Sequence, residues 1–386
     1  MNSKFENNSL TIFLEGNVDT SNAEAIGKEI DEIRAANPDG DFVLDLENMK
    51  YISSAGLRQI LRLKKKEASF KIINCPSEVY EIFEMTGFAE MMDIEKAYRK
   101  MSVEGCEVIG EGSNGIVYRL NPDTIIKVYK NNDALESIKR ERELAKTALV
   151  LGVNTAIPFD VVKVGDMYGS VFELLSAQSL TKYIVAEPEN KDKYIEIFAN
   201  MLKEIHGTDV KPGTLPKVKD TAISWAEWLK SHIPEATYEK LVRMLSEVPD
   251  SDKMIHGDYH ANNVHYANGE AILIDMDTLS VGHPVFEFAS IYLAYQGYGI
   301  VDHEKVSNFI KLDWDTSAYL WNKLVDLYFE GKDDAFKENV KKKAMCIGFT
   351  RCLRRTIKRE PDNTALIEYS RNKLIELVDS LDSLSF

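Results

Sequence analysis

The 386-residue sequence has few cysteines, no long apolar run and fewer basic than acidic residues. The four cysteines are Cys75, Cys106, Cys346 and Cys352. They form no Cys-x-x-Cys pair and no cysteine–histidine cluster, which argues against a structural zinc site and is typical of free thiols in a reducing compartment. No segment approaches the ~20 apolar residues of a membrane span, and the N-terminal residues lack the apolar core of a signal peptide. The sequence therefore predicts a cytoplasmic protein.

The shortage of basic residues also limits the class of partner. The chain has 47 lysines and arginines against 62 aspartates and glutamates, a formal net charge of −15. A chain this acidic repels the phosphates of nucleic acids and of anionic lipids. We therefore expect no nucleic-acid partner and no membrane partner.

Short apolar strands and amphipathic helices alternate over the first hundred residues. Ile26, Ile30 and Ile33, for example, recur every three or four residues, the spacing of one buried helix face. Such alternation is typical of a sheet with helices packed on it. The pattern predicts strands at 10–14, 42–46 and 71–74 and helices at 23–36, 56–68 and 77–85, with Ser77 as an N-cap.

Small residues open the second of these helices, in the run Ser53-Ser54-Ala55-Gly56-Leu57. This run resembles the switch of the STAS domain, named for sulfate transporters and anti-sigma-factor antagonists. The antagonists carry Asp-Ser-Ser/Thr-Gly-Leu and are phosphorylated on the first hydroxyl residue, which the resemblance places at Ser54. The family's acid falls on Ser53 here, so helix capping by the two serines is the favoured role and phosphorylation of Ser54 is the alternative. The resemblance covers about residues 8–97, and it implies a STAS-like domain over 1–98 with a protein partner.

A glycine-rich turn follows, Gly110-x-Gly112-x-x-Gly115-x-Val117. Glycines at this spacing let the backbone approach phosphate groups and direct bare N–H groups at them. A dinucleotide-binding turn would pass directly into a helix. Here β-branched residues continue as strands at 116–120 and 124–129, which favours the hairpin of a kinase glycine-rich loop.

Lys127 lies on the second of these strands between apolar neighbours, where an ammonium group needs a partner or an anionic ligand. Kinases hold this lysine against the nucleotide phosphates with a glutamate of the next helix, predicted here over 133–151. We predict Glu143 as that partner, because its spacing to the glycine and proline beyond resembles the aminoglycoside phosphotransferase pattern. Glu141 is the alternative, since it shares a helix face with apolar residues.

The segment 168–175 is predicted to be a strand that runs into a loop, the usual place of the hinge between two kinase lobes. Backbone groups of Glu173 and Leu175 would then bind adenine.

The most specific pattern is His256-Gly-Asp258-x-x-x-x-Asn263, followed by an apolar strand that ends at Asp275. His-x-Asp-x-x-x-x-Asn and a strand-borne Asp form the catalytic loop and metal site of the kinase superfamily. Asp258 would accept the proton of the acceptor hydroxyl or orient that hydroxyl. Asn263 and Asp275 would bind Mg²⁺, which favours one or two carboxylates together with phosphate oxygens. The pattern predicts ATP and Mg²⁺ as cofactors.

The order of these motifs, and His-Gly-Asp above all, resembles the aminoglycoside phosphotransferase and choline kinase superfamily over about residues 103–375. The resemblance implies a kinase-like N-lobe at 101–174 and a helical C-lobe at 175–386 that holds the catalytic loop and the acceptor pocket. The expected fold class is α+β in two parts, a STAS-like domain and a bilobal protein-kinase-like fold. Gly257 replaces the arginine of protein kinases, and Ala-Pro-Glu is absent, which favours a small-molecule acceptor.

Helices are predicted over most of the C-terminal region, at 225–248, 287–298, 316–330, 334–357 and 364–381. Four tryptophans (225, 228, 314 and 321) can line the acceptor pocket or belong to the core. A basic stripe also runs along the fourth helix, at Arg351, Arg354, Arg355 and Lys358. It is either a solvated or STAS-facing surface or an anchor for an acidic acceptor, and a polycationic aminoglycoside would avoid it.

Three functions follow from these patterns. The favoured one is transfer of the γ-phosphate of ATP to a hydroxyl of a small molecule, with regulation by the STAS-like domain. The second is a protein kinase that acts on Ser54 or on a partner of that domain. The third is a nucleotide sensor without catalytic activity, against which the presence of Lys127, Asp258, Asn263 and Asp275 argues.

Overall fold

The computed structural model describes residues 1–67, 69–112, 115–131 and 135–386. Two compact units divide these residues: Met1–Glu104 with Val161–Gly169, and Gly105–Asp160 with Ser170–Phe386. The first unit is a sheet covered by helices, and the second contains a smaller sheet and a large helical part. The predicted fold class is therefore confirmed.

The first unit is built on a five-stranded sheet in the order β1-β2-β3-β4-β5. A turn at Asn7 and Asn8, both with positive φ, joins β1 to β2 in an antiparallel pair, and the other neighbouring strands are parallel. The strands are β1 (Ser3–Glu6), β2 (Ser9–Val18), β3 (Asp41–Ile52), β4 (Phe70–Cys75) and β5 (Asp93–Lys96). The helices are α1 (Ala23–Ala36), α2 (Ser54–Lys66), α3 (Ser77–Met85) and α4 (Phe88–Met91).

The ends of these elements are set by capping and close packing. Helix α2 begins at Ser54, two residues before the predicted start, because the Ser53 side chain caps it; the predicted end at Ala68 lies outside the described residues. Gly56 must be small, since a Cβ there would lie 2.7 Å from a side-chain carbon of Ile52. Ser77 was wrongly predicted as an N-cap: it is the first residue of α3, and Pro76 precedes it.

The second unit begins with a sheet in the order β6-β7-β8-β10-β9, followed by two smaller sheets, β11-β13-β14 and β12-β15. Its strands are β6 (Glu107–Glu111), β7 (Gly115–Asn121), β8 (Thr124–Tyr129), β9 (Pro158–Val164), β10 (Met167–Glu173), β11 (Gln178–Ser179), β12 (Met254–Ile255), β13 (Val264–Ala267), β14 (Glu270–Leu273) and β15 (Ser280–Val281). The tip of the β9–β10 hairpin is the segment that groups with the first unit.

Ten helices cover most of the remaining described residues of the second unit. They are α5 (Leu135–Val150), α6 (Leu180–Ala186), α7 (Lys191–Gly207), α8 (Val218–Trp228), α9 (Glu235–Ser246), α10 (Val285–Tyr295), α11 (Glu304–Ile310), α12 (Trp314–Tyr328), α13 (Asp334–Arg359) and α14 (Thr364–Ser380).

One predicted helix is divided in the structure. The segment 225–248 was expected to be continuous, but α8 ends at Trp228 and α9 begins at Glu235. Pro234 explains the break, because a proline disfavours helical backbone at the residue before it. The predicted start of α5 at Asp133 lies outside the described residues. Within the described ranges, no helix combines the length and the apolar character that a membrane crossing requires.

Candidate active site

The glycine-rich turn joins β6 to β7, as the hairpin interpretation requires. The Gly112 N–H donates to the Gly115 carbonyl oxygen at 3.0 Å, and Ser113 and Asn114 between them lie outside the described residues. A Cβ on Gly115 would lie 2.6 Å from the carbonyl oxygen of Val128 on the neighbouring strand β8. Glycine is therefore needed here for close packing of the two strands.

Lys127 on β8 is held by carboxylates. Its Nζ donates to Glu141 Oε1 at 2.9 Å and lies 3.7 Å from Asp275 Oδ1. The other oxygen of Glu141 accepts the Tyr129 hydroxyl at 2.6 Å. Burial lowers the pKa of Lys127, but the charges of Asp275 and Glu141 outweigh that effect and raise it. The lysine is therefore a fixed cation facing the strand that ends at Asp275.

The prediction that Glu143 pairs with Lys127 is wrong. Glu143 is on the exposed side of α5, where its carboxylate lies 3.4 Å from Lys146. Two residues correspond to about 200° around a helix, so Glu141 and Glu143 point to nearly opposite sides. Glu141 shares the buried face with Ile138 and Leu144, which brings it to Lys127.

A cavity of about 440 Å³ lies within the second unit, between the glycine-rich turn and the strand that ends at Asp275. Its walls include most of the residues that the sequence assigned to nucleotide binding. These are Gly110, Gly112, Gly115, Val117, Lys127, Glu173 and Leu175, and the cavity is also lined by Glu141 and by the predicted metal ligand Asp275.

The catalytic loop begins at His256 and is fixed by its backbone. Both oxygens of Glu287 on α10 accept backbone N–H groups, from His256 at 2.5 Å and from Gly257 at 2.9 Å. Gly257 has a φ of 84°, and a Cβ there would lie 2.8 Å from the Thr278 carbonyl oxygen. An arginine cannot take this conformation without strain, which explains the glycine that distinguishes this loop from that of protein kinases.

Asp258 follows with 34% of its side chain exposed. His260 Nε2 approaches its carboxylate at 3.6 Å. Burial alone would raise the pKa of Asp258, but interaction with His260 and the charge of Arg351 outweigh it and lower the pKa to about 2. The carboxylate is therefore ionised at neutral pH and open to solvent on one side.

The backbone of Asn263, at the end of the catalytic loop, is hydrogen-bonded to the residue that precedes Asp275. The Asn263 side-chain amide donates to the Asp258 carbonyl oxygen at 3.0 Å, and its backbone carbonyl accepts the Ile274 N–H at 2.9 Å. The amide donor of Asn263 is therefore engaged, while its side-chain oxygen has a lone pair for another ligand. Asp275 Oδ1 is buried and has no hydrogen-bond donor among the described residues. This donor set fits Mg²⁺, which takes a carboxylate, an amide oxygen and phosphate oxygens.

Asp277 is a member of the site that the sequence left ambiguous. Burial and the charges of Asp275 and Glu141 raise its pKa to about 7, against the opposing effect of Lys127. The charges of three carboxylates, those of Glu141, Asp275 and Asp277, therefore act on Lys127. No residue spacing could have assigned Asp277, because the arrangement depends on the turn after Asp275.

The four tryptophans divide between surface and core. Trp225 and Trp228 are partly buried on α8 beneath basic side chains of α13. Trp314 stacks on His303 with ring centroids 3.9 Å apart, and Trp321 is buried against Phe288. Trp321 therefore belongs to the core, and the three partly buried tryptophans stay candidates for lining an acceptor site.

Comparison with known proteins identifies the second unit. Residues 105–306, just over half of the chain, match the phosphotransferase enzyme family. The chain belongs to this family.

Two solved structures of a thermostable mutant of aminoglycoside phosphotransferase APH(4)-Ia are similar to this phosphotransferase. One contains AMP-PNP and hygromycin B (13% identity, 72% of this chain, 93% of that chain, TM-score 0.50). The other contains ADP and hygromycin B (12% identity, 78% and 97%, TM-score 0.50). At these identities the likeness shows the fold alone.

The first unit of the phosphotransferase carries a STAS domain, which matches over residues 1–101. A protein predicted to be an anti-sigma factor antagonist, BtrV of Bordetella bronchiseptica, is 32% identical over 85 residues. That stretch covers 21% of this chain and 72% of BtrV. Both resemblances found in the sequence are thus confirmed.

The Lys127–Glu141 pair predicts which glutamate of α5 matters for nucleotide binding. Glu141→Gln leaves the buried lysine with a weaker acceptor, and charged hydrogen bonds of this kind contribute about 1.5–3 kcal/mol, so the Kd for MgATP is expected to rise about 10- to 100-fold. Glu143→Gln, the matched control on the same helix, is expected to leave the Kd unchanged. Isothermal titration with MgATP measures both. Equal effects of the two variants would contradict the pairing.

The two hydrogen bonds accepted by Glu287 lead to a prediction for the stability of the second unit. In Glu287→Gln one backbone N–H meets an amide donor, so the free energy of unfolding is expected to fall by about 1–3 kcal/mol. Denaturation followed by tryptophan fluorescence reports on this unit, because all four tryptophans lie in it. The exposed Glu247→Gln serves as the control, and an unchanged midpoint for Glu287→Gln would show that the loop is held by other contacts.

Proposed function

We propose that this phosphotransferase moves the γ-phosphate of ATP to a hydroxyl group of a small molecule, with Mg²⁺ bound at Asn263 and Asp275. The observation that carries the proposal is one cavity that is lined by the glycine-rich turn, Lys127 and Asp275. Asp258 and Asn263 lie on the catalytic loop, which precedes the β13–β14 hairpin and Asp275. MgATP supplies the transferable phosphoryl group, and the metal neutralises charge on the phosphate oxygens.

Each side chain then has a defined task. The glycine-rich turn brings backbone N–H groups to the phosphates, and Lys127 pairs with their negative charge. Glu141 keeps the Lys127 ammonium in place, at 2.9 Å. Glu173 and Leu175, at the end of β10, line the same cavity and would bind adenine through their backbone. Phosphoryl transfer asks the protein mainly for positioning and charge neutralisation, which is what this set provides.

Asp258 acts on the acceptor. Its ionised carboxylate accepts the hydrogen bond of the acceptor hydroxyl and directs the oxygen at the γ-phosphorus. The hydroxyl oxygen forms the new P–O bond, and the bond between the γ-phosphorus and the bridging oxygen breaks. The proton leaves through Asp258 to solvent, and ADP and a phosphate ester remain. With a pKa of about 2, Asp258 orients the hydroxyl more than it stores the proton.

We further propose that the STAS domain regulates the phosphotransferase by binding a protein partner. Ser54 is exposed in the first turn of α2, while Ser53 Oγ accepts the Gly56 N–H at 3.4 Å. The capping role therefore falls to Ser53. Ser54 is left accessible, and a phosphate there would face the positive end of the helix. We infer that Ser54 is the regulatory phosphosite.

Asp258→Asn tests the catalytic assignment. It is expected to lower phosphate transfer about 10²- to 10⁴-fold, because it removes the charge that orients the hydroxyl. The affinity for MgADP should be retained, since Asp258 does not line the cavity. The assay is ADP release across a library of hydroxyl-bearing metabolites, with titration of MgADP alongside. The exposed Asp362→Asn is the matched control. Nucleotide binding without turnover of any acceptor would favour the sensor function instead.

Labelling of Ser54 separates the small-molecule kinase from a protein kinase. Incubation with MgATP and then mass spectrometry is expected to show no rapid phosphate on Ser54, because the site favours a small acceptor. Phosphorylation of Ser54 by a separate kinase would agree with the regulatory role. Rapid labelling that disappears in Asp258→Asn would instead establish the protein-kinase function.

A further inference from the structure

Four basic side chains line one face of helix α13, and we call them the cationic face of α13: Arg351, Arg354, Arg355 and Lys358. Their spacing of three, four and seven residues places them in one row on the helix. From the first to the last the row spans about 10 Å along the helix axis. It is a local concentration of positive charge in a chain whose net charge is −15.

The first member of the row fixes its position relative to the catalytic loop. Arg351 Nη1 donates to the Gly257 carbonyl oxygen at 3.1 Å and to Ser290 Oγ at 3.2 Å. Gly257 directly precedes Asp258, so Arg351 is a positioning residue for the loop. Arg354 and Arg355 lie one helical turn further along, about 5 Å from it along the axis. The row therefore begins at the residue that directly precedes Asp258.

Aromatic rings hold the basic groups in place. The guanidinium carbon of Arg354 lies 6.0 Å from the Trp228 ring centroid, and that of Arg355 lies 4.8 Å from the Tyr298 ring. Lys358 Nζ lies 4.9 Å from the same Trp228 ring. A cation over a ring face keeps its N–H groups available at the edge, so these contacts orient the basic groups and leave donors free.

The basic groups of the row have no close carboxylate partner among the described residues. In the part of the chain that the structure describes, no carboxylate lies within 4.0 Å of a basic atom of these four residues. The Arg354 Nε is buried and has no hydrogen-bond partner there. The nearby carboxylate of Glu360, whose pKa Arg355 helps to lower, is hydrogen-bonded to Lys305 at 2.5 Å. Unpaired, rigidly held guanidinium groups favour an anionic ligand with two or three acceptor oxygens.

We propose that the acceptor is an alcohol that carries a carboxylate or phosphate group, which Arg354, Arg355 and Lys358 bind while Asp258 receives the hydroxyl. This inference rests on the proposed function, since it assigns the substrate class of that site. The acidic group lies along the cationic face, and the hydroxyl lies at its Asp258 end. A polycationic acceptor such as an aminoglycoside is repelled by the same charges.

The test uses the full chain saturated with MgADP, so that the nucleotide cavity is filled. Its probe is a matched sugar series: glucose, glucuronate, glucose-6-phosphate and glucosamine, which are neutral, carboxylated, phosphorylated and cationic. A second series with glycerol, glycerate and glycerol phosphate covers smaller acceptors. Tryptophan fluorescence reports binding directly, because Trp225 and Trp228 lie under the basic groups. We expect a saturable change with the anionic members, and the carboxylate and phosphate arms distinguish the two anions.

Charge-removing variants locate the binding site. Arg354→Gln is expected to weaken binding of the anionic probe about tenfold or more, because it removes a charge-assisted hydrogen bond. Lys342→Gln removes the same charge from an exposed position of α13, three turns away, and should leave binding unchanged. Lys358→Gln, at an exposed position, provides a second variant if Arg354→Gln does not fold.

Three results would overturn the inference: tightest binding by glucosamine, anion binding that is equal in Arg354→Gln and wild type, or no response to any probe while MgADP binds. In that last case the basic groups serve only to pack α13 on the aromatic rings. Failure of the proposed function has a different signature: either MgADP does not bind, or MgATP binds and no acceptor is phosphorylated even though the anionic probes bind.

Discussion

The position of the catalytic loop depends on two hydrogen bonds from its backbone to the buried carboxylate of Glu287. This carboxylate is completely enclosed and accepts the backbone N–H groups of the two residues that precede Asp258. One turn further along α10, Ser290 donates to the Gly257 carbonyl oxygen at 2.6 Å. The backbone on both sides of Gly257 is thus tied to a single core helix. A loop held in this way positions Asp258 through its backbone, independently of the contacts of its carboxylate.

The sequence was sufficient for the parts of the site that local chemistry determines. Glycine spacing, a lysine on an apolar strand and the run from His256 to Asn263 each require particular residues at fixed offsets, and the structure brings them to one cavity and its adjoining loop. The choice between Glu141 and Glu143 as the partner of Lys127 could not be made from residue offsets. It depended on which face of α5 is buried, and the apolar neighbours of Glu141 carried more information than its distance from later glycine and proline residues.

Features that arise only from tertiary packing could not be read in advance. Asp277 joins Asp275 and Glu141 because the chain turns sharply after β14, and no periodicity records that turn. The division between α8 and α9, by contrast, has a local cause, Pro234. We predicted one continuous helix because the apolar spacing continues on both sides of this proline. The basic stripe was visible as helix spacing, but its place beside the catalytic loop came from Arg351 and Gly257, which are 94 residues apart in the chain.

The backbone at Asp275 limits how this position can change over evolution. Its φ of 66° and ψ of 67° place it in the left-handed region, which asparagine, aspartate and glycine tolerate far better than other residues. With the proposed Mg²⁺ bound at Asp275, the ligand chemistry and the backbone conformation of the turn would be selected together. A descendant that lost catalysis would be expected to drift first to asparagine or glycine here. An alanine at this position would signal that the turn itself had been rebuilt.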